Sequence, residues 1–174
     1  MDLKTYTIPF TGLKLGKHSF TYHIDSKFFE FFQYDDFNTI NCDVVITFDK
    51  KPRFFDLNFD IKGVVNLNCD LSGEAFNQDF ESFLDLIIRF GAVFNDENEE
   101  LLVLPQGVHE VNVSQYIYEA IILAIPIKRI HPGIKDGSLK SKVLEKLEEY
   151  RIRETTKTDP RWDKLNDLLT KNKQ

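Results

Sequence analysis

The sequence predicts an α+β fold: a twisted, largely antiparallel, barrel-like sheet with a buried helix, followed by two C-terminal amphipathic helices. Three observations predict it. Between residues 10 and 94, apolar side chains recur at every second position of several segments, which is the period of a half-buried strand. All 16 phenylalanines lie in the same range, and aromatic residues pack well on a pleated sheet. The strands follow one another with a single short helix among them, which favours an antiparallel sheet over repeated βαβ units.

The predicted strands share this alternation and are separated by turn residues. They cover residues 4–10, 17–24, 39–48, 55–69, 75–80, 83–90, 101–104 and 110–113. Gly63 lies inside the longest one and predicts a bulge or a bend, because glycine weakens the interior of a strand. The acidic run at residues 95–100 predicts a hairpin loop.

Two helices are predicted within the sheet region. Phenylalanines at positions 28, 29, 31 and 32 predict a short helix over residues 26–34, capped by Asp25 or Ser26. Ser114 is the expected cap of a helix over residues 114–124. Apolar residues on almost every side of this second helix predict that it is buried against the sheet.

Two amphipathic helices are predicted after a basic connection that contains proline and glycine. The first begins at Ser138 and carries an apolar stripe at positions 139, 143, 144, 147 and 150. The second has Asp159 as its N-cap and Pro160 at its first helical position, and Trp162 begins its apolar stripe.

Charge divides the chain close to the start of this helical part. Residues 1–127 contain 9 Lys and Arg and 20 Asp and Glu, a net charge of −11, whereas residues 128–174 contain 13 and 8, a net charge of +5. We therefore predict an antiparallel sheet domain with its covering helix at 1–127, and a basic linker with C-terminal helices at 128–174. Such asymmetry indicates different partners for the two parts, or their mutual attraction.

The sequence contains no recognisable catalytic or metal-binding motif. The four histidines are scattered, and Cys69 is followed by Ser72 where a C-x-x-C pair has its second cysteine. A phosphate-binding glycine loop and a G-x-S-x-G motif are also missing. We therefore expect no catalytic residue, no metal site, no cofactor and no enzymatic activity. A competing hypothesis, a hydrolase or nuclease with dispersed carboxylates, predicts metal-dependent turnover.

Composition predicts a globular protein, since 42% of the residues are hydrophobic and 29% are charged. No apolar run reaches the ~18–20 residues of a membrane-spanning helix. The first residues lack the pattern of a secretory signal, and two cysteines do not make a disulfide framework. A cytoplasmic location without membrane contact is therefore expected.

The basic part of the chain predicts contacts with RNA, because Lys and Arg on a loop or helix neutralise backbone phosphates. The candidate RNA-binding residues are Lys128, Arg129, His131, Lys135, Arg151, Arg153 and Arg161. The alternative is a solvated helix face with ion pairs four residues apart. The acidic sheet domain repels nucleic acid and predicts a dock for a basic protein, such as a ribosomal protein, or only solubility.

Four motifs, taken in their order and spacing, resemble those of one protein family. They are Leu13 with Gly16 in an N-terminal turn, residues 63–69 in a central strand, residues 117–126 in a helix that ends at a proline, and Asp159-Pro160-Arg161-Trp162 near the C-terminus. These motifs resemble the YceD family of large ribosomal RNA subunit accumulation proteins. The resemblance implies a non-enzymatic accessory factor in large-subunit ribosome biogenesis that binds ribosomal RNA, a basic ribosomal protein, or both. The alternative is a protein–protein adaptor without RNA contact, in which charges at 95–100 matter most.

The chain departs from the family pattern at one place. Many relatives carry C-x-x-C at the end of the central strand and further cysteines after the proline-ended helix. This chain has Ser72 for the second cysteine and no cysteine in residues 127–139. Zinc binding is therefore not carried over, and a packed or charged loop is expected in place of a cysteine-held one.

Overall fold

The computed structural model describes residues 3–98, 100–139 and 142–150. The chain divides into two compact units, residues 1–139 and residues 140–174. All the strands and three of the helices described below belong to the first unit, and the fourth helix belongs to the second. The predicted boundary between residues 127 and 128 stays a prediction.

The order of elements follows the sequence prediction closely. A 3₁₀ turn at Leu3–Tyr6 precedes β1 (Thr7–Pro9), β2 (Gly16–Asp25), α1 (Ser26–Phe31), β3 (Thr39–Lys50), β4 (Phe54–Asn68), β5 (Ala75–Gly91), β6 (Asn95–Asn98), β7 (Leu101–Pro105), β8 (Glu110–Asn112), α2 (Ser114–Ala124), α3 (Pro132–Lys135) and α4 (Lys142–Tyr150). The bounds of α2 agree with the prediction, and those of β2, β3 and β4 differ from it by one or two residues.

The strands form a six-stranded sheet in the order β2-β3-β4-β5-β7-β6, and β1 pairs separately with β8. Every pairing is antiparallel except that of β5 with β7, which is parallel. The α+β class and the largely antiparallel sheet are therefore confirmed. The barrel-like closure is wrong, because β2 and β6 are the two edges of an open sheet. β6 has four exposed residues and is too short to pair along the ten-residue β2.

The core lies on one side of the sheet. On β3, the side chains of Ile40, Cys42, Val44, Ile46 and Phe48 are all buried, and the intervening ones face the other side. α1 contacts β2 and β3, and α2 packs against β5. α2 is buried against the sheet on one face, as predicted, although Leu123 on another face is 85% exposed.

Two helix caps differ in how well the sequence predicted them. The Asp25 side chain accepts a hydrogen bond from the Lys27 backbone N–H at 3.1 Å, which confirms Asp25 as the cap of α1. Ser114 is not the cap of α2. Its N–H and its hydroxyl both donate to the Asn112 side-chain oxygen, at 2.9 and 2.5 Å. The cap position falls on Val113, which has no side-chain acceptor.

Further boundaries differ from the prediction. The first strand covers only Thr7–Pro9 of the predicted residues 4–10, and α1 ends at Phe31 instead of residue 34. The two strands expected at 75–80 and 83–90 are one continuous strand, β5, because Ser82 continues the inward row between Phe80 and Leu84. The expected hairpin loop at 95–100 contains β6, which pairs with β7. Ser138 is not helical. Gly137 before it has a positive φ of 74°, and the Leu139 N–H after it donates back to the Gly133 carbonyl. The described part of the next helix begins at Lys142.

Gly63 does not form a bulge. The pairing of β4 with β3 and with β5 runs through it without a shift of register, and its partners are Cys42 and Phe80. The reason for glycine is a close approach between strands. A Cβ atom at position 63 would lie 2.1 Å from Cys42 Cβ and 2.4 Å from the Asn41 carbonyl oxygen. Only a residue without a side chain fits there.

We therefore expect Gly63→Ala to lower the free energy of unfolding by about 1–3 kcal/mol, because the added methyl group must push apart two paired strands. Gly12→Ala is the matched control, since nothing lies within 4 Å of its Cβ position. Urea unfolding of the two variants and the parent chain measures the difference. Equal midpoints for Gly63→Ala and Gly12→Ala would contradict the close approach.

Candidate functional site

Only some of the predicted RNA-binding residues lie in the part of the chain that the structure describes. Lys128, Arg129, His131 and Lys135 belong to residues 127–139, named here the basic tract. Arg151, Arg153, Arg161 and the Asp159-Pro160-Arg161-Trp162 motif lie outside the described residues. Lys128 and Lys135 are exposed, whereas Arg129 and His131 are half-buried. The structure therefore separates the four described residues into two exposed lysines and two residues engaged within the protein.

Arg129 joins the basic tract to the body of the protein. Its guanidinium Nη1 donates to the Asp36 carbonyl oxygen at 2.9 Å, and Nη2 pairs with the Asp36 carboxylate. The backbone N–H of Arg129 donates to the Asp70 carboxylate at 2.8 Å, and its carbonyl accepts from the Asp70 N–H at 2.8 Å. The hydrogen bond from Arg129 holds the pKa of Asp36 below its ordinary value of 3.8. The charge of Arg129 is thus balanced inside the fold.

His131 and Cys69 form the second junction between the basic tract and the turn after β4. His131 Nδ1 accepts from the Gly133 N–H at 2.9 Å and so caps α3. The backbone N–H of His131 donates to Cys69 Sγ at 3.3 Å, and the imidazole ring lies edge-on to the Phe76 ring. His131 therefore serves the local structure of the tract.

The two cysteines have different environments. Burial raises the pKa of Cys69, but hydrogen bonds from the Ser72 side chain and from the backbone of His131, Ser72 and Leu71 outweigh it, and the pKa falls to about 7. Burial, reinforced by the nearby Asp43 charge, raises the pKa of Cys42 to about 12. Ser72 thus stabilises the thiolate form of Cys69.

The side of β2–β5 that faces away from the core, named here the outer face, is strongly acidic. Its acidic residues are Asp25, Asp43, Asp49, Asp56, Asp60, Asp79, Glu81 and Asp85, and its basic residues are Lys17, Lys62 and Arg89. Eight acids against three bases give these strand residues a net charge of −5, and Lys51, in the turn before β4, adds one positive charge beside Asp49 and Asp56. Because the register places these residues in rows across four strands, they form one continuous surface.

Apolar side chains lie in the middle of this acidic surface. Phe83 is 66% exposed, and Val45 is 39% exposed. Register places both in one row with Asp60, which lies on the strand between them. Lys62 Nζ lies 5.5 Å from the centre of the Phe83 ring and 3.3 Å from the Asp60 carboxylate.

One end of the outer face is rich in asparagine. The Asn38 side-chain amide donates to the side-chain oxygens of Asn66 at 2.8 Å and Asn68 at 2.9 Å, and Asn66 donates to Asn77 at 2.6 Å. Beside this network is an open cavity of about 480 Å³, and its lining includes Asp25 and Lys27. These hydrogen bonds join the four asparagine side chains into one polar network at this end of the outer face.

Two features of the site were not predicted from the sequence: the acidic outer face and the partners of Arg129. The alternation of Asp56, Asn58 and Asp60 with apolar residues was a usable signal for one strand. Only the pairing register of the four strands shows that their acidic residues lie on one face. No spacing rule connects Arg129 with Asp36, which is 93 residues away.

Two further observations concern metals and membranes. Within residues 3–98, 100–139 and 142–150, no three His, Cys, Asp or Glu side chains come together as metal ligands. Among the helices that the structure describes, none has both the length and the apolar character required to cross a bilayer.

Comparison with protein families identifies a match. The model of the family described as large ribosomal RNA subunit accumulation protein YceD matches residues 57–169, more than half of the 174-residue chain. The chain belongs to the YceD family. No curated protein and no solved structure matches the chain. The description of the family associates the chain with the accumulation of large-subunit ribosomal RNA.

The predicted YceD resemblance is therefore confirmed. The match covers most of β4, all of β5 and α2, and the basic tract. The central-strand and proline-ended-helix motifs both lie inside it. The turn at Leu13 and Gly16 lies outside the matched range, and its correspondence with the family stays a prediction.

We expect the Asp36–Arg129 pair to stabilise the fold at neutral pH and to lose its effect in acid. The folded pKa of Asp36 lies below 3.8, so its stabilisation is present above that pH and is lost as pH falls through the folded value. A double-mutant cycle with Asp36→Asn and Arg129→Gln should give a coupling energy of about 0.5–1 kcal/mol at pH 6, because the Asp36 side chain is 59% exposed.

The measurement is urea unfolding of the four proteins at pH 6 and at pH 3, where the coupling energy should shrink. Lys128→Gln is the control, since this neighbour of Arg129 is exposed and should change stability by less than ~0.5 kcal/mol. A coupling energy that is zero at pH 6, or that grows in acid, would show that the pair does not hold the basic tract.

Proposed function

We propose that this protein is a non-enzymatic accessory factor in large-subunit ribosome biogenesis. It supports the accumulation of large-subunit ribosomal RNA in the cytoplasm by binding ribosomal RNA, a basic ribosomal protein, or both. The observation that carries this proposal is the separation of an acidic outer face from a basic tract in a chain of the YceD family. Surfaces of opposite charge in one unit suit contacts with the two kinds of molecule from which ribosomes are made.

The state of the outer-face carboxylates favours recognition over catalysis. Lys51 pairs with Asp56, Lys62 pairs with Asp60, and the Asn58 amide donates to Asp85 at 2.6 Å. These acids lie in rows on a broad, exposed surface. General acid–base catalysis instead needs groups that converge on one reacting atom in a cleft. A row of fixed negative charges is suited to binding a positively charged surface.

RNA contact through the basic tract depends on Lys128 and Lys135. Both are exposed, and an exposed lysine can neutralise a phosphate without losing a structural contact. Arg129 and His131 already hold the tract in place. We propose Arg151, Arg153 and Arg161 as further RNA contacts on the basis of their charge alone.

A protein–protein adaptor without RNA contact is the second candidate function. The net negative charge of the outer face favours it, because such a surface attracts a basic protein and repels phosphate. Under this function the two exposed lysines of the basic tract contribute only to solubility. The RNA-binding experiment below separates the two candidates.

We expect cells depleted of this protein to accumulate less of the large subunit than of the small subunit. The measurement is sucrose-gradient sedimentation of lysates, together with the ratio of large-subunit to small-subunit ribosomal RNA. Expression of the parent chain from a second locus should restore the ratio. Normal sedimentation and a normal ratio after complete depletion would exclude the proposed function.

We expect RNA binding, if the basic tract makes it, to fall steeply with salt and to depend on the two exposed lysines. Lys128→Glu with Lys135→Glu should weaken binding to large-subunit ribosomal RNA and reduce the slope of log affinity against log salt by about 2. Fluorescence titration at several salt concentrations measures both quantities. The matched control is Lys14→Glu with Lys27→Glu, which makes the same change in net charge at exposed positions elsewhere.

An affinity that does not depend on salt would contradict RNA contact through phosphates. Equal weakening by the control pair would show that overall charge, and not the basic tract, determines binding. Either result favours the adaptor function.

A further inference from the structure

We propose that the outer face of β2–β5 is the docking surface for a lysine- and arginine-rich segment of a partner protein, which seats an apolar side chain against Phe83 and Val45. This inference rests on the proposed function and makes it more specific. It names the surface, its central residues and the chemistry of the partner.

The exposure of Phe83 is the first argument. β5 points Phe80, Leu86 and Ile88 into the core, while Phe83 points outward and keeps 66% of its surface in solvent. Its outward neighbours along β5, Glu81 and Asp85, are acidic, and an exposed aromatic ring gains nothing from contact with water. Aromatic residues of this kind are enriched at the centres of protein interfaces, where a partner covers them.

The charges around Phe83 give the second argument. Asp60 lies opposite it on β4, and Glu81 and Asp85 lie two residues away on the same face of β5. Three carboxylate side chains therefore neighbour the ring, and Lys62 Nζ lies 5.5 Å from its centre. This arrangement matches an apolar interface centre with a charged rim, and the sign of the rim selects a basic partner.

The size and shape of the surface give the third argument. Four strands spaced about 4.8 Å apart, followed along β4 from Asp56 to Asn66, give a face about 19 Å wide and 33 Å long. Its area of roughly 600 Å² approaches the ~800 Å² that each partner buries in a stable complex. The cavity beside the asparagine network continues this face, and Asp25 and Lys27 are both in its lining.

The partner is a protein and not a nucleic acid. The net negative charge of the outer face repels phosphate, and any RNA contact belongs to the basic tract. A basic protein segment supplies both the positive charge and the apolar side chain that the surface requires.

Photo-crosslinking from the centre of the surface tests this inference. The full-length chain carries p-benzoylphenylalanine at position 83, a change from one exposed aromatic residue to another. It is mixed with RNA-free proteins extracted from purified large subunits and irradiated, and products are identified by mass spectrometry. We expect a crosslink to a lysine- and arginine-rich segment. The same crosslinker at Leu123, which is 85% exposed on α2, should give no such product.

Two independent variants test the same surface by affinity. Phe83→Asp and the charge reversal Glu81→Lys with Asp85→Lys should each lower capture of the crosslinked protein by about tenfold or more. Leu123→Asp is the apolar control. Asp96→Lys with Glu97→Lys is the charge control, because these two acids lie on β6 and not on the outer face. Unfolding midpoints equal to that of the parent confirm that each variant folds.

Several outcomes would overturn the inference. In the crosslinking experiment, these are a product that joins position 83 to a second copy, to the chain's own C-terminal part or to RNA. In the capture experiment, they are undiminished capture by both outer-face variants, or a larger loss of capture from the charge reversal on β6. Complementation distinguishes the inference from the proposed function. If Phe83→Asp fully restores large-subunit levels in depleted cells, the docking surface is rejected and the proposed function stands. If large-subunit levels are normal in cells that lack the protein, the proposed function itself is rejected.

Discussion

The unbroken register of β3, β4 and β5 is the constraint on which the rest of the structure depends. Because side chains alternate between the two faces of a strand, a slip of one residue would move the core residues into solvent and the carboxylates into the core. Gly63 lies within this register, where Cys42 and the Asn41 carbonyl come too close for any side chain. The same pairing that buries Ile61 and Leu57 therefore assembles the acidic outer face.

The connection after α2 is held by a small set of polar contacts instead of by a large apolar surface. Arg129 reaches Asp36, its backbone pairs with Asp70, and His131 donates to Cys69. These contacts keep the exposed lysines of the basic tract beside the turn between β4 and β5, at the same end of the sheet as the asparagine network.

Local patterns predicted the elements of this fold better than their assembly. Alternation along single strands located β2, β3 and β4, and apolar spacing with a following proline located α2. The continuity of β5 was missed because Glu81 and Ser82 are polar, although the first faces solvent and the second is half-buried in the inward row. Barrel closure was predicted wrongly because no local pattern reports which strands become edges.

The candidate site shows the same division. Net charge predicted an acidic and a basic part, but a count of charges does not distinguish Lys128, which is exposed, from Arg129, whose charge is balanced by Asp36. That pairing spans 93 residues, and only the fold brings the two together. Charge along the sequence therefore identified the region, and the contacts of each side chain identified which charges are available to a partner.

Under the proposed function, the arrangement of the two surfaces would constrain how a ribosomal precursor approaches. The outer face and the basic tract both belong to the unit formed by residues 1–139, so their positions are fixed by one sheet. Phosphate would be repelled along the length of the outer face, and within the described residues the exposed lysines of the basic tract, beside the turn between β4 and β5, would attract it. RNA bound by the tract would therefore meet the sheet at one end and leave Phe83 accessible to a basic protein segment. Simultaneous contact with both would bring an RNA and a protein of opposite charge together, with their mutual attraction adding to the binding.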